Sequence, residues 1–108
     1  MQDKIYNGLL SSYYGGMLTE YQQKVLHLYY DCDMSLAEIG EYLGITRQGV
    51  REVIIRSNKK LTEYEEKLGL VKKIKAISYK LDLIIKEEDV SDNIKEKLTE
   101  ILSKIKEI

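Results

Sequence analysis

The chain has 108 residues, 44% of them hydrophobic and 32% charged, a balance that fits one compact soluble domain with a protruding helical tail. No apolar run approaches the ~18 residues of a transmembrane helix, and the start "MQDKIYNGLLSSYYGG" lacks the cationic-then-apolar order of a secretory signal, so no membrane contact is expected. Cys32 is the one cysteine, which excludes an intramolecular disulfide and suits a reducing, cytoplasmic compartment.

Proline is absent, so nothing of that kind breaks a helix anywhere along the chain. Residues 3–14 read as a first helix with Ile5, Leu9 and Tyr13 along one side, closed by Gly15-Gly16. "TEYQ" opens a second. Thr19 caps it and Gln22 reaches back at capping-box spacing, with Tyr21, Val25, Leu28 and Tyr29 inside. "DCDMS" is a polar connection in which Ser35 and Glu38 repeat the capping box. The third helix covers 36–43, with Leu36, Ala37, Ile39 and Leu43 on one face and Gly44 as its C-terminal cap.

Thr46 has the side-chain oxygen of an N-cap, so a fourth helix begins at Arg47. Its stripe, Val50, Ile54, Ser57, Leu61, Tyr64 and Leu68, alternates spacings of four and three, continues to about Lys67 and stops at Gly69. A fifth helix carries Leu70, Ile74, Ile77, Leu81 and Ile84 at heptad-like spacing. The acidic "KEEDVSDN" interrupts it, Ser91 or Asp92 caps a sixth, and Ile94, Leu98, Ile101, Ile105 and Ile108 form the last stripe.

The fold class is therefore all-α: a helix-turn-helix domain over 1–69 with a long recognition helix, and a C-terminal helical extension over 70–108. Two amphipathic helices that pair as a hairpin about 25 Å long leave apolar flanks. The stripe Leu70, Ile74, Ile77, Leu81, Ile84, Ile94, Leu98, Ile101 and Ile105 is thus assigned to a core or dimer contact. A homodimer is expected, with a wholly intramolecular bundle as the alternative.

The net charge of −1 conceals a basic middle. Residues 1–43 carry two lysines against six acids, a net of −4, and residues 76–108 carry six lysines against eight acids, a net of −2. Residues 44–75 carry nine Lys/Arg against four Glu, a net of +5. In a helix-turn-helix the leading residues of the second helix approach base edges. With Val50 and Ile54 inward, Arg47, Gln48 and Arg51 point out. Arg can donate twice to guanine and Gln can pair with adenine. Thr46 and the helix amides can hold a phosphate, and Arg56, Lys59 and Lys60 can extend the contact along the backbone. Glu52 opposes phosphate, Ile55 is apolar beside Ile54, and Gly49 costs up to about 1 kcal/mol of helix propensity relative to Ala. The bland alternative is that these helices only build a three-helix core.

Catalytic chemistry has no comparable signal. "HLYYDCD" places His27, Asp31, Cys32 and Asp33 together, but one histidine and one thiol fall short of the three or four ligands a metal needs. Gly15-Gly16 lacks the Lys-Ser/Thr of a phosphate loop. Glu65-Glu66 and Glu87-Glu88 lie in charge-rich, solvated runs. No enzyme, metal or cofactor is expected.

The stretch "GGMLTEYQQKVLHLYYDCDMSLAEIGEYLGITRQGVREVIIRSNKKLTEYEEKLGL" resembles the YlxM-type family of small bacterial helix-turn-helix proteins. The shared features are Leu18, Thr19 and Gln22, then "LYYDCDMSLAEIGEYLGITRQGV", then "KKLTEYEEKLGL". The resemblance covers about residues 5 to 75. The chain departs from the family pattern at Gly49, where alanine is usual, and at Thr46, where serine is common. The resemblance implies a fold like region four of sigma factors. It also implies a part in the signal recognition particle (SRP) protein-targeting pathway, because genes of this family lie beside those of the SRP GTPases. Structured RNA and SRP components thereby join DNA as expected partners. Two other roles stay open: a sequence-specific transcription regulator, and a protein-interaction module that binds no nucleic acid.

Overall fold

The computed structural model describes residues 3–108. Six α-helices, and no strands among the described residues, make the protein all-α. They are α1 (Lys4–Tyr14), α2 (Glu20–Leu26), α3 (Leu36–Leu43), α4 (Arg47–Leu68), α5 (Leu70–Ile85) and α6 (Asp92–Lys106). They form two compact units, divided after Leu68.

Local chemistry explains where the helices start. The Thr19 and Ser35 hydroxyls each accept the backbone N–H of the third helical residue, and the side chains of Gln22 and Glu38 return the bond to the cap. Ser91 caps α6 with a single bond from the Ile94 N–H at 3.3 Å. The Ser35 backbone N–H, then its hydroxyl, hold the Glu38 carboxyl below the usual carboxylate range. A tight turn at Gly15–Met17 follows α1, and α2 widens into a π-turn at His27–Asp31.

In the first unit α1, α2 and α3 all pack on α4, which is 22 residues and so about 33 Å long. Leu10, Val25, Leu26, Ile39, Val50, Ile54 and Leu61 form its buried centre. Ser57 is fully buried among them, its hydroxyl donating to the Val53 carbonyl at 2.7 Å. Its small side chain suits a helix crossing, and the internal bond removes the cost of an unpaired buried hydroxyl.

Two tyrosines tie the outer helices to α4. The Tyr14 hydroxyl donates to Glu65, and its ring lies 6.1 Å from that of Tyr64. The Tyr30 hydroxyl donates to Asn58 at 2.9 Å, and burial pushes its pKa above the usual tyrosine value. The Lys4 ammonium pairs with Asp33 at 3.0 Å and sits 4.2 Å from the Tyr29 ring centre, closing α1 over the connection to α3.

The inner face of several helices differs from the expected one by a single position. On α1, Ile5 is 89% exposed while Leu10 and Tyr14 are buried, because the helix is turned to bring the Tyr14 hydroxyl to Glu65. On α2, Tyr21 is exposed and Leu26 buried. On α3, Ala37 is exposed and Gly40 takes the inward place. On α4, Leu68 is exposed at the helix end, while Val50, Ile54 and Leu61 face inward as expected.

The second unit is α5 and α6, joined by residues 86–91 and packed as an antiparallel hairpin. Val71, Ile74 and Leu102 are buried, and Leu81, Ile85, Leu98 and Ile105 are half-buried. Val71, Leu102 and Ile85 are absent from the expected stripe. Conversely Ile77, Ile84, Ile94 and Ile101 of that stripe are exposed. Each helix has apolar residues on three heptad positions, and one neighbouring helix covers only part of so wide a face.

Candidate nucleic-acid interface

The interface begins with the turn between α3 and α4. Gly44 takes a left-handed conformation (φ 73°), where a side chain would be strained, and ends α3. The N–H groups of Gly44 and Ile45 both reach back to the Gly40 carbonyl, the latter at 2.9 Å. This return of the chain presses residue 45 against residue 40. A Cβ on Gly40 would lie 2.7 Å from the Ile45 carbonyl oxygen and 3.4 Å from the Arg47 nitrogen. The helix-turn-helix angle therefore depends on a missing side chain inside a helix, a residue that periodicity in the sequence does not single out.

Thr46 caps α4 as expected, its hydroxyl oxygen accepting the Gly49 N–H at 2.9 Å. The first turn of α4 carries no acidic residue, whereas α2, α3 and α6 have Glu20, Glu38 and Asp92 there. The positive end of the α4 dipole is thus uncompensated from within, and Arg47 adds a full charge beside it.

Val50 and Ile54 are fully buried, and this sets the remaining faces of α4. Thr46, Arg47, Gln48 and Arg51 are exposed at its leading end, with Ile55 and Lys59 continuing the same side at helical spacing. Arg56 and Lys60 are exposed as well, but elsewhere. Lys60 follows Arg51 by nine residues, about two and a half turns, and so projects from the opposite side of the helix. The seven residues assigned from the sequence thus fall into two groups. A flat ligand seated on Gln48, Arg51 and Ile55 does not reach Lys60, and Arg56 lies between the two beside Lys59. Glu52 lies at the edge of the first group.

Gly49 has room for a methyl group at a small cost. A Cβ there would approach the Thr46 hydroxyl oxygen to 3.1 Å, and that exposed side chain can shift by a few tenths of an ångström. Gly49→Ala gains up to about 1 kcal/mol of helix propensity and loses part of the cap. We expect a net gain of about 0.5 kcal/mol, read as a rise in Tm of roughly 2 °C by calorimetry. A lower Tm would mean that the cap bond outweighs the propensity.

His27 pairs with Asp31 at 2.8 Å through Nδ1, and its Nε2 lies 3.6 Å from the Cys32 sulfur. All three are exposed along the π-turn and its cap, and Asp33 instead pairs with Lys4. Among the described residues no three or more His, Cys, Asp or Glu side chains are grouped so as to hold a metal ion. No described helix is long and apolar enough to cross a membrane.

Comparison with known proteins agrees with this architecture. The family model described as "Putative helix-turn-helix protein, YlxM / p13 like" matches residues 1–104. A UPF0122 protein of Clostridium acetobutylicum is 41% identical over 107 residues, 99% of this chain and 84% of the relative. One from Thermoanaerobacter sp. is 42% identical over 106 residues, 98% of this chain and 90% of the relative. A third, from Clostridium kluyveri, is 41% identical over 107 residues, 98% of this chain and 94% of its own. With a turn closed on Gly40, a capped α4 and relatives matched over nearly the whole chain, the protein belongs to the UPF0122 family of YlxM/p13-like helix-turn-helix proteins.

Proposed function

We propose that this chain is a non-enzymatic accessory or regulatory protein of the SRP targeting pathway that contacts nucleic acid through the leading turns of α4. In this reading it acts in the cytoplasm as a homodimer. The observation that carries it is the outward group Arg47, Gln48 and Arg51, set on a rigid helix whose positive end has no acidic partner in its first turn. Two guanidinium groups beside exposed helix amides suit a phosphate backbone, in RNA or in DNA. Membership of the YlxM-like family supports the link to protein targeting, through the gene neighbourhood of that family.

The second reading, a sequence-specific DNA regulator, is favoured by Gln48, Arg51 and Ile55 lying along one line. Gln, Arg and an aliphatic group are the partners of adenine, guanine and the thymine methyl in the major groove. A dimeric reader must also hold its two recognition helices about 34 Å apart.

Competition separates these roles. A labelled RNA hairpin is titrated with the protein between roughly 50 and 200 mM salt, then challenged with duplex DNA of mixed sequence. We expect RNA binding that weakens steeply with salt and resists the DNA. Displacement by DNA at equal nucleotide concentration would favour the DNA regulator. No binding of either at the lowest salt would leave a protein-interaction module and overturn the proposal.

A further inference from the structure

The hairpin α5–α6 keeps part of its aliphatic surface in contact with water, in a regular pattern. Ile77 and Ile84 on α5 are 49% and 39% exposed, and Ile94 and Ile101 on α6 are 50% and 49% exposed. Each pair is separated by seven residues, so each forms a ridge along its helix. On both helices the ridge precedes the inner row by one position: Ile77 before Ser78, Ile84 before Ile85, Ile94 before Lys95, Ile101 before Leu102. Because the two helices run in opposite directions, this shared offset turns both ridges to the same face of the hairpin.

We propose that this ridge face receives a second copy of the chain, hairpin against hairpin, as a four-helix bundle. The inference rests on the homodimer in the functional reading above and names the surface that makes it. Two features favour a second copy as the occupant. The four isoleucines expose roughly 350 Å² per copy, and with the stems of the flanking lysines this supplies a large part of the ~800 Å² per partner of a stable interface. The two ridges also share length and spacing, so a two-fold axis brings like-spaced ridges together without a change of register.

The rim gives the pairing a signature. Lys73 and Lys80 border the α5 ridge, Lys97 and Lys104 border the α6 ridge, and all four are exposed. Self-pairing brings these like charges together, so salt strengthens it by screening them. An acidic amphipathic helix on the same face would be released by salt instead.

The test is the mass of the full-length protein by sedimentation at several concentrations, for wild type and for Ile77→Gln with Ile101→Gln. Glutamine keeps helix propensity, and the inner row is untouched, so circular dichroism should match wild type. We expect a wild-type dimer that tightens as salt rises, and a variant whose dimer dissociation constant is raised roughly a hundredfold or more. Should the glutamine pair lose helix, Ile77→Ala with Ile101→Ala is read in its place. A dimeric variant as tight as wild type would overturn the face and leave the dimer standing. A monomeric wild type would overturn both, and a dimer that loosens with salt would overturn the hairpin-to-hairpin pairing.

Discussion

Gly40→Ala should destabilise the helix-turn-helix unit by about 2 kcal/mol, although alanine is the better helix former. Alanine in a helix interior gains up to about 1 kcal/mol over glycine. Here the added Cβ meets the Ile45 carbonyl oxygen at 2.7 Å, closer than such atoms come without movement. The obstacle is backbone, held by the Ile45 N–H bond to the Gly40 carbonyl, so no side-chain rotation relieves it. Either that bond breaks or α3 and α4 move apart, opening the contact of Ile39 and Val50 with the core. Overpacking of this kind costs about 1–3 kcal/mol and occasionally more, which exceeds the propensity gain. Urea denaturation of both proteins reads the difference, and a Tm lowered by roughly 8 °C accompanies it. A variant within about 0.5 kcal/mol of wild type would show that the turn relaxes freely, an outcome of ordinary surface substitutions.

Arg47→Ala with Arg51→Ala should cut nucleic-acid affinity at least about tenfold while leaving the fold intact. Both side chains are exposed, so neither substitution empties a buried core position. The sharper reading is the salt dependence. Two phosphate contacts removed should flatten the log–log slope by about two units on duplex DNA, at roughly 0.9 per phosphate, and slightly less on a single strand. Arg56→Ala with Lys60→Ala removes the same charge from another side of the helix and serves as the control. It should change the slope by less than half as much, because a ligand seated on Arg51 does not reach Lys60. An unaltered slope in the first variant would mean that this helix is not the contact. Equal effects of the two variants would mean a diffuse charge effect without a defined face.

Most of the helices were legible because their boundaries are written in local chemistry. Thr19 with Gln22, Ser35 with Glu38, Thr46, Gly44, Gly69 and Ser91 each act within four residues of where they stand, so neither fold nor partner is needed to read them. The long stripe of α4 was legible for a related reason. Three helices pack on it, so its inner face is wide and the period of burial is sampled many times over 22 residues.

Rotation of the shorter helices was not legible. On α1 the apolar residues Ile5, Leu9, Leu10, Tyr13 and Tyr14 allow two faces, and the bond from Tyr14 to Glu65, 51 positions away, selects one of them. On α5 and α6 three heptad positions are apolar, and spacing alone cannot say which pair faces the other helix and which faces outward.

The amino-acid sequence by itself determined that the chain is helical, where most of its helices begin, and that the charge of its middle is basic, since these depend on neighbours along the chain. Only the tertiary structure decided that Gly40 must lack a side chain, that α1 turns Tyr14 to Glu65, and that Ile77 and Ile101 stay in water. These depend on how separate helices and turns pack on one another, and close packing translates a shift of one residue into a different surface.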